Sequence, residues 1–386
     1  MRIAYLCTDP GVPVFGRKGA SVHVQAVVRA LRAAGHEVAL VARRFGDDVP
    51  ADLTGLERHP LPPLVASDVA AREREALDGE AAVADRLRRL GSIDLVYERY
   101  ALWSAAGMRT ARTLGVPGVL EVNAPLIDEQ GAHRALVARD AATDRSEAAF
   151  AAATRIVAVS DGVRAYVEGF EAEPGKVVVV PNGVDPSRYV PTPPRERPTF
   201  TVGFVGTLKP WHGLGALAEA FAALHRRHPD ARLLVVGDGP ERPALEACLD
   251  ELGVRDAAIM AGARPPDEVP AWLARMDVAT APYPPQAGFY FSPLKVFEYL
   301  ATGLPLVASR IGQLEDLLEH GATCLFAEPG DPASLADALT ALRGDLGLRR
   351  ALAHAGRVLV ARDHTWDQVV RRSLDGLPLP LVATGG

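Results

Sequence analysis

Short apolar runs alternate with longer amphipathic stretches along almost the whole chain. The first half offers RIAYLC at 2–7, EVALVA at 37–42, DLVY at 94–97, VLEV at 119–122, RIVAV at 155–159 and VVVV at 177–180. Near-continuous apolarity over so few residues is the mark of strands covered on both faces, hence of a parallel sheet. Helical periods lie between them. Val24, Val27, Val28 and Leu31 share one face of a helix predicted over 21–34 and stopped by Gly35. Further helices are expected over 68–90, charged and solvated, over 128–152, and over 161–168 behind an N-cap at Ser160.

The alternation pauses at 191–198 (PTPPRERP), a proline-rich charged connector, and then restarts. Strands are predicted at 200–205, 232–236, 257–260, 278–281 and 305–308, with a short edge strand at 324–326. Helices are predicted after Gly213, with Leu214, Leu217, Phe221 and Leu224 inward, over 267–275 and 314–319, and through 333–377. Repeated β/α alternation specifies an α/β fold of doubly wound Rossmann-like domains. The domains are placed at 1–190 and 191–364, with a C-terminal helix over about 365–377 and a flexible tail at 378–386.

The segment 284–305 (PPQAGFYFSPLKVFEYLATGLP) stands at the centre of this reading. Ser292 reads as an N-cap, Pro293 as the first helical residue, and Gly303 with Pro305 as the stop. Leu294, Phe297 and Ala301 would face inward; Lys295, Glu298 and Thr302 share a neighbouring face. An open helix N-terminus beside a lysine attracts phosphate, and a carboxylate one turn on suits a sugar diol. The same spacing also describes a capped helix with a solvated Lys–Glu pair.

Glycine loops follow other predicted strands: 206–213 with Lys209 and His212, 237–240 with Gly237 and Gly239, and 262–264 with Arg264. With 288–293 they fall on the ligand side of an open α/β sheet, and their clustering favours a nucleotide site. The opening loop carries Gly11, Gly16 and Gly19 but does not fit GxGxxG; it suits either a phosphate approach or a flexible turn. Glu98, Arg99 and Asn123, at strand ends, are acceptor-side candidates or structural caps. His133 on a polar helix and His23 beside the Gly19 loop complete the candidates.

Length changes the picture little: 386 residues fit two domains. A net charge of −6 argues against a general nucleic-acid binder. No apolar run reaches the ~18 residues of a membrane span. Cys7, Cys248 and Cys324 lack paired spacing and read as reduced residues of a cytoplasmic protein, and no Cys/His cluster suggests a metal. High Ala, Arg and Gly content points to a GC-rich, bacterial genome.

Taken together, GHEV at 35–38, VVPNGVD at 179–185, FVGTLKPWHG at 204–213, VVGDGPE at 235–241 and SPLKVFEYLATGLPLVAS at 292–309 resemble glycosyltransferases of the GT-B fold, family 4. The resemblance implies two Rossmann-like domains facing a central cleft, with a nucleotide diphosphate sugar in the C-terminal domain and an acceptor in the N-terminal one. It implies transfer with retention and without a metal or other cofactor. Glu298 matches the second acid of the family's E-x7-E motif, which binds ribose. The first acid position holds Tyr290. Phe291, Ser292, Pro293 and Leu294 would offer backbone amides to the sugar and phosphate. Thr207 and His212 stand where the family often has an Arg and a Lys, so Lys209 and Lys295 would replace that charge, with His212 as a partial donor. Gly206, Gly237 and Gly239 would line the donor site, Arg264 would frame the base, and Gly19 would approach the diphosphate. His23 would assist catalysis.

The implied reaction moves a hexose or N-acetylhexosamine, from a UDP-sugar by preference, to a small natural product or glycan precursor. A UDP-sugar 2-epimerase on the same fold and a non-catalytic nucleotide-sugar-binding partner are the alternatives. The oligomeric state is not addressed by these patterns.

Overall fold

The computed structural model describes residues 1–133, 135–170, 172–173 and 175–378. Contacts divide the chain into two compact units. The first comprises residues 1–181, 290–292 and 366 onward; the second comprises 182–289 and 293–365. Most of the tail expected to be flexible, from 379 on, lies outside the described residues.

In the first unit the order is β1 (Arg2–Cys7), α1 (Gly19–Ala33), β2 (Glu37–Ala42), β3 (Glu57–Pro60), α2 (Val69–Asp78), α3 (Glu80–Arg89), β4 (Leu95–Arg99), α4 (Ala106–Leu114), β5 (Gly118–Val122), α5 (Leu126–His133), α6 (Arg139–Ala152), β6 (Arg155–Ala158), α7 (Asp161–Glu168) and β7 (Val177–Val179). The strands form a parallel sheet ordered β3-β2-β1-β4-β5-β6-β7. The order reverses between β1 and β4, the switch point where open α/β sheets place ligands. Ile3 to Cys7 are fully buried, as a strand covered on both faces requires. Val24, Val27, Val28 and Leu31 seat α1 on that sheet.

In the second unit follow β8 (Phe200–Val205), α8 (Leu214–Arg227), β9 (Ala231–Val236), α9 (Arg242–Glu251), β10 (Ala258–Gly262), α10 (Val269–Leu273), β11 (Val278–Ala281), α11 (Leu294–Thr302), β12 (Leu306–Ser309), α12 (Gln313–Leu317), β13 (Leu325–Ala327), α13 (Pro332–Gly344) and α14 (Leu346–Asp363). The parallel order is β10-β9-β8-β11-β12-β13, with its switch between β8 and β11 and β13 at the edge. The last helix, α15 (Trp366–Leu374), belongs to the first unit, where it packs on α1.

Several expectations change. The helix expected over 68–90 breaks at Gly79, where a β-carbon would lie 3.0 Å from the Arg43 guanidinium. It is not merely solvated: Glu73 is buried and accepts the Val137 and Ala138 amides. Those bonds hold backbone outside a helix, so the helix expected over 128–152 is two helices, α5 and α6. The helix expected over 267–275 shortens to α10. The first unit ends at Pro181, ahead of the connector where the sequence places the boundary. The reason is local bonding: Val184 donates to the His364 carbonyl at 2.8 Å, and Thr192 donates to that of Thr302 at 3.1 Å. Elements not read from the sequence are β3 (ERHP), α4, whose inward face includes Gly107 and Ala111, and α9, whose buried residues are Leu245 and Leu249.

Glu98 is corrected most. It lies inside β4, 1% exposed, rather than at a solvent-facing strand end. A β-carbon on Gly107 of α4 would come within 2.1 Å of its carboxyl oxygen. Neither oxygen has a hydrogen-bond partner of good geometry. Burial, with Glu80 adding to it, pushes this carboxyl up to about 8. The folded state therefore keeps a proton that the unfolded chain has released, and stability contributed by the neutral carboxyl is lost as pH rises toward about 8. Glu98→Gln should flatten the decline in stability between about pH 5 and 9. Urea unfolding across that range should show the variant more stable than the parent above pH 8.

Candidate functional site

The second unit assembles its candidate site from the strand ends beside its switch point. Gly206 follows β8 with φ +146°, and Gly237 follows β9 with φ +148°. Both need glycine: a β-carbon on Gly206 would lie 2.9 Å from Lys295 Nζ, and one on Gly237 would lie 1.9 Å from the Gly206 carbonyl oxygen. The Gly206 amide donates to the Val236 carbonyl at 3.0 Å and the Leu208 amide to that of Asp238 at 3.0 Å, so the loops brace each other. The Gly239 amide is held by Asp238 Oδ1 at 2.8 Å.

Helix α11 begins one residue later than the sequence suggests. Pro293, rather than Ser292, occupies the N-cap position. Proline has no N–H to donate, and the amide of Val296 turns back to the Pro293 carbonyl. Gly303 closes the helix at φ 74°. Phe297 and Ala301 are buried as expected, but Leu294 is only half-buried. Thr302 leaves the predicted Lys–Glu face: it is 1% exposed, and its hydroxyl donates to the Glu298 carbonyl at 2.8 Å.

Lys295 lies in the first turn of α11. Its ammonium is buried, has no hydrogen-bond partner, and sits 4.2 Å from the centre of the Phe204 ring and 5.7 Å from that of Tyr283. The aromatic faces attract a cation, yet burial dominates and lowers this group to about 7, with Glu298 opposing the shift. Glu298 is pushed the other way by burial; Tyr189, Arg188 and Lys295 restrain it, Tyr189 by a side-chain hydrogen bond. The solvated Lys–Glu pair is thereby excluded.

His212 is not a substitute cation. Its Nδ1–H donates to the Thr207 carbonyl at 2.6 Å, which leaves Nε2 as an acceptor. Burial, then Lys295, lower it to about 3, so the ring is neutral. Thr207 is exposed, and Lys209 is half-buried with its ammonium 5.6 Å from the Trp211 ring centre. Arg264 lies along its own loop, 4.7 Å over the Trp272 ring, with Nε donating to the Ala261 carbonyl at 3.0 Å.

Tyr290, Phe291 and Ser292 belong to the first unit. The Tyr290 hydroxyl donates to Glu129 at 3.4 Å, and its carbonyl accepts from Ser160 at 2.6 Å. The tyrosine at the first acid position is thus engaged with its own neighbours. In the same unit a buried polar cluster crosses the switch point. Tyr5 and Tyr97 stack at 5.5 Å, and Tyr97 donates to Glu121 at 3.0 Å. His23, expected to assist catalysis, is 3% exposed. Arg99 donates to its Nδ1 at 3.5 Å, so the neutral ring carries its proton on Nε2 and donates to Glu121 at 3.2 Å. Burial and Arg99 hold His23 well below its ordinary value, and Trp366 covers it with ring centres 5.0 Å apart. Burial raises Glu121 to about 7 against Arg99 and Tyr97.

Arg99 is half-buried, and the amide of Asn123, just past β5, is buried without a partner. Gly19 is exposed at the first position of α1. The His133 side chain lies outside the described residues. Glu121, Tyr189 and Arg188 were missed. Glu121 has a readable signal, a lone acid inside an apolar strand; the other two have none. Among the described residues, no group of three His, Cys, Asp or Glu side chains is placed to hold a metal ion, and no helix is long and apolar enough to cross a membrane.

Two family models match in tandem: Glycosyltransferase Family 4 over residues 17–188 and Glycosyl transferases group 1 over 199–345. The chain belongs to the GT-B glycosyltransferases. The D-inositol 3-phosphate glycosyltransferase of Salinispora tropica is 27% identical over 92% of this chain and 80% of its own length. That of Corynebacterium urealyticum is 32% identical, but the match covers 54% of this chain and 52% of the relative. Among solved structures, Anabaena HepE in complex with UDP superposes with a TM-score of 0.73 at 17% identity, covering 96% of this chain and 98% of that one. Sucrose-phosphate synthase from Thermosynechococcus elongatus gives 0.73 at 19%, covering 96% of each. At these identities the likeness is one of fold.

The burial of Lys295 costs the free enzyme stability. Its folded value near 7 lies below the ordinary 10.5, so the native state sheds the proton first and stability rises with pH between these values. Lys295→Met should stabilise the ligand-free enzyme at pH 7, by about 1–2 kcal/mol. The advantage should shrink toward pH 10 in paired denaturant titrations of variant and parent.

Proposed function

We propose that the enzyme transfers a sugar from a nucleoside diphosphate sugar to an acceptor hydroxyl, with retention of configuration. The observation that carries this reading is the Lys295 ammonium, buried without a hydrogen-bond partner in the first turn of α11. A diphosphate supplies what that place lacks: it accepts from the ammonium and from open helix amides, and its charge favours the protonated lysine. Glu298, one turn on, takes the ribose hydroxyls. Lys209 adds a second cation, while neutral His212 offers an acceptor at Nε2 rather than charge.

Charge that develops on the departing diphosphate is then held by fixed cations and helix amides, each such donor contributing about 3 kcal/mol. The leaving phosphate oxygen takes the acceptor proton on the same face of the sugar, which accounts for retention without a protein nucleophile. No metal is assigned a role. A uracil nucleotide is the preferred donor, a choice supported by the UDP bound to Anabaena HepE. The relatives' name makes a cyclitol phosphate the first acceptor to test, with Arg99 of the first unit as its cation. We place the enzyme in the cytoplasm, in keeping with its free cysteines Cys7, Cys248 and Cys324.

UDP at 100 times its Kd should stabilise the enzyme by ~2.7 kcal/mol in thermal unfolding. Lys295→Ala should abolish both that shift and transfer while keeping the parent circular dichroism spectrum. Transfer should survive EDTA within about twofold, since losing a required electrostatic contact would cost ~3 kcal/mol. Undiminished transfer by the alanine variant would remove the role given to Lys295.

A further inference from the structure

The loop after β8 ends on a turn that holds one ring in place. The His212 amide donates to the Lys209 carbonyl at 3.0 Å, closing the turn 210–212. Gly213 follows at φ 62°, and a β-carbon there would overlap the Pro282 carbonyl oxygen, so the turn is pressed against the residue that follows β11. Nδ1 of the His212 ring bonds the Thr207 carbonyl at 2.6 Å. The ring centre lies 5.6 Å from that of Phe204 and 5.9 Å from that of Tyr283. The Lys295 ammonium stands against the same two rings, 4.2 Å and 5.7 Å from their centres. His212 and Lys295 thus share one aromatic recess.

A carbonyl only accepts, so Nδ1 carries the proton of its bond, and in the neutral ring Nε2 keeps a lone pair. A second proton on the ring would set two cations against one pair of rings out of water; burial and Lys295 both oppose it. Among the described residues the bond to Thr207 is the ring's one hydrogen bond, and Lys295, itself without a hydrogen-bond partner, does not donate to Nε2. A lone pair repels a phosphate oxygen and bonds an O–H or N–H. The ionised diphosphate of a nucleotide sugar offers neither. The ribose hydroxyls are assigned to Glu298, and the ribose separates the base from the phosphates. The hydroxyls left beside the diphosphate are those of the transferred sugar.

We infer that His212 is a specificity-determining residue that reads the transferred sugar, its Nε2 accepting a hydrogen bond from a hydroxyl of that sugar. The inference rests on the donor site proposed above. Charge then divides the two roles: Lys295 holds the diphosphate, and its neutral neighbour recognises the group attached to it.

His212→Phe keeps a ring in the recess and removes both nitrogens; His212→Gln returns an acceptor oxygen near the place of Nε2. Calorimetric titrations with UDP, UDP-glucose, UDP-galactose and UDP-N-acetylglucosamine compare both variants with the parent. The UDP-sugar that the parent binds most tightly should weaken about tenfold in His212→Phe while UDP stays within about twofold, and His212→Gln should recover most of the loss. Retained UDP binding shows that the variant is folded. Long-range proton–nitrogen NMR of enzyme carrying ¹⁵N-labelled histidine, with the His212 signals assigned from their absence in His212→Gln, should show Nδ1 protonated and Nε2 bare in the free enzyme. That UDP-sugar should move the Nε2 resonance well beyond the change produced by UDP.

Equal weakening of UDP and the UDP-sugar in His212→Phe, or no weakening of either, overturns the role of His212 and leaves the donor site standing. Protonation of Nε2 by bound UDP overturns it as well, since the ring would then serve the phosphate. A UDP-sugar that binds the parent without moving Nε2 beyond the UDP position has the same force. If the parent binds neither UDP nor GDP nor any of these UDP-sugars, the donor-site reading fails, and this inference with it.

Discussion

A lysine ammonium removed from water and left without a hydrogen bond is costly, and much of the second unit is arranged to hold one. The Phe204 and Tyr283 rings form a shelf against Lys295, and Gly206 leaves room where any β-carbon would press on the nitrogen. The loops after β8 and β9 brace one another through backbone bonds. Such a site is poor for the free protein and good for an anion, the usual relation between stability and binding at a preorganised electrostatic site. The neighbours follow from the same constraint. His212 cannot be charged beside Lys295 in a dry place, and Glu298 stays useful as an acceptor only because Tyr189, Arg188 and Lys295 oppose the effect of burial.

The first unit treats buried charge differently. Its switch point holds a connected cluster in which Tyr97 and His23 both donate to Glu121, and Arg99 donates to His23. Every polar side chain there has a neighbour to share the cost of burial, except the Tyr5 hydroxyl, the second Glu121 oxygen and the Asn123 amide. Trp366 of α15 closes the cluster over His23, which makes the C-terminal helix part of the first unit's core. Only Arg99 among the charged members keeps a partly exposed face. Glu98, one residue away, points to the opposite face of the sheet and is packed under α4 instead. Strand alternation alone separates a residue available for recognition from one committed to the core.

Legibility in the sequence tracked the source of each signal. Strands covered on both faces are apolar on every position, so β1, β2, β8 and β9 were visible within a residue or so. Glycines needed for φ or for close approach marked the ends of β8 and β9 and the stop of α11. Lys295 and Glu298 were legible because one helical turn spaces them. Tyr189 was not legible, because its contact with Glu298 joins residues far apart in sequence. The breaks after α2 and α5 were hidden because Glu73 and Gly79 read as ordinary residues of charged helices.

The sequence by itself determined the alternation of strands and helices, the glycine-marked strand ends and the pairing of a lysine with a carboxylate on α11. These depend on neighbours a few positions away, and local sterics and periodicity are written in the chain. Tertiary structure decided protonation and availability: that His212 and His23 are neutral, that Glu98 is sealed in the core, that Tyr290 is engaged with Glu129, and that Lys295 sits in an aromatic recess. Desolvation and hydrogen-bond partnership are properties of what the folded chain brings around a group. They exist only once distant segments have come together.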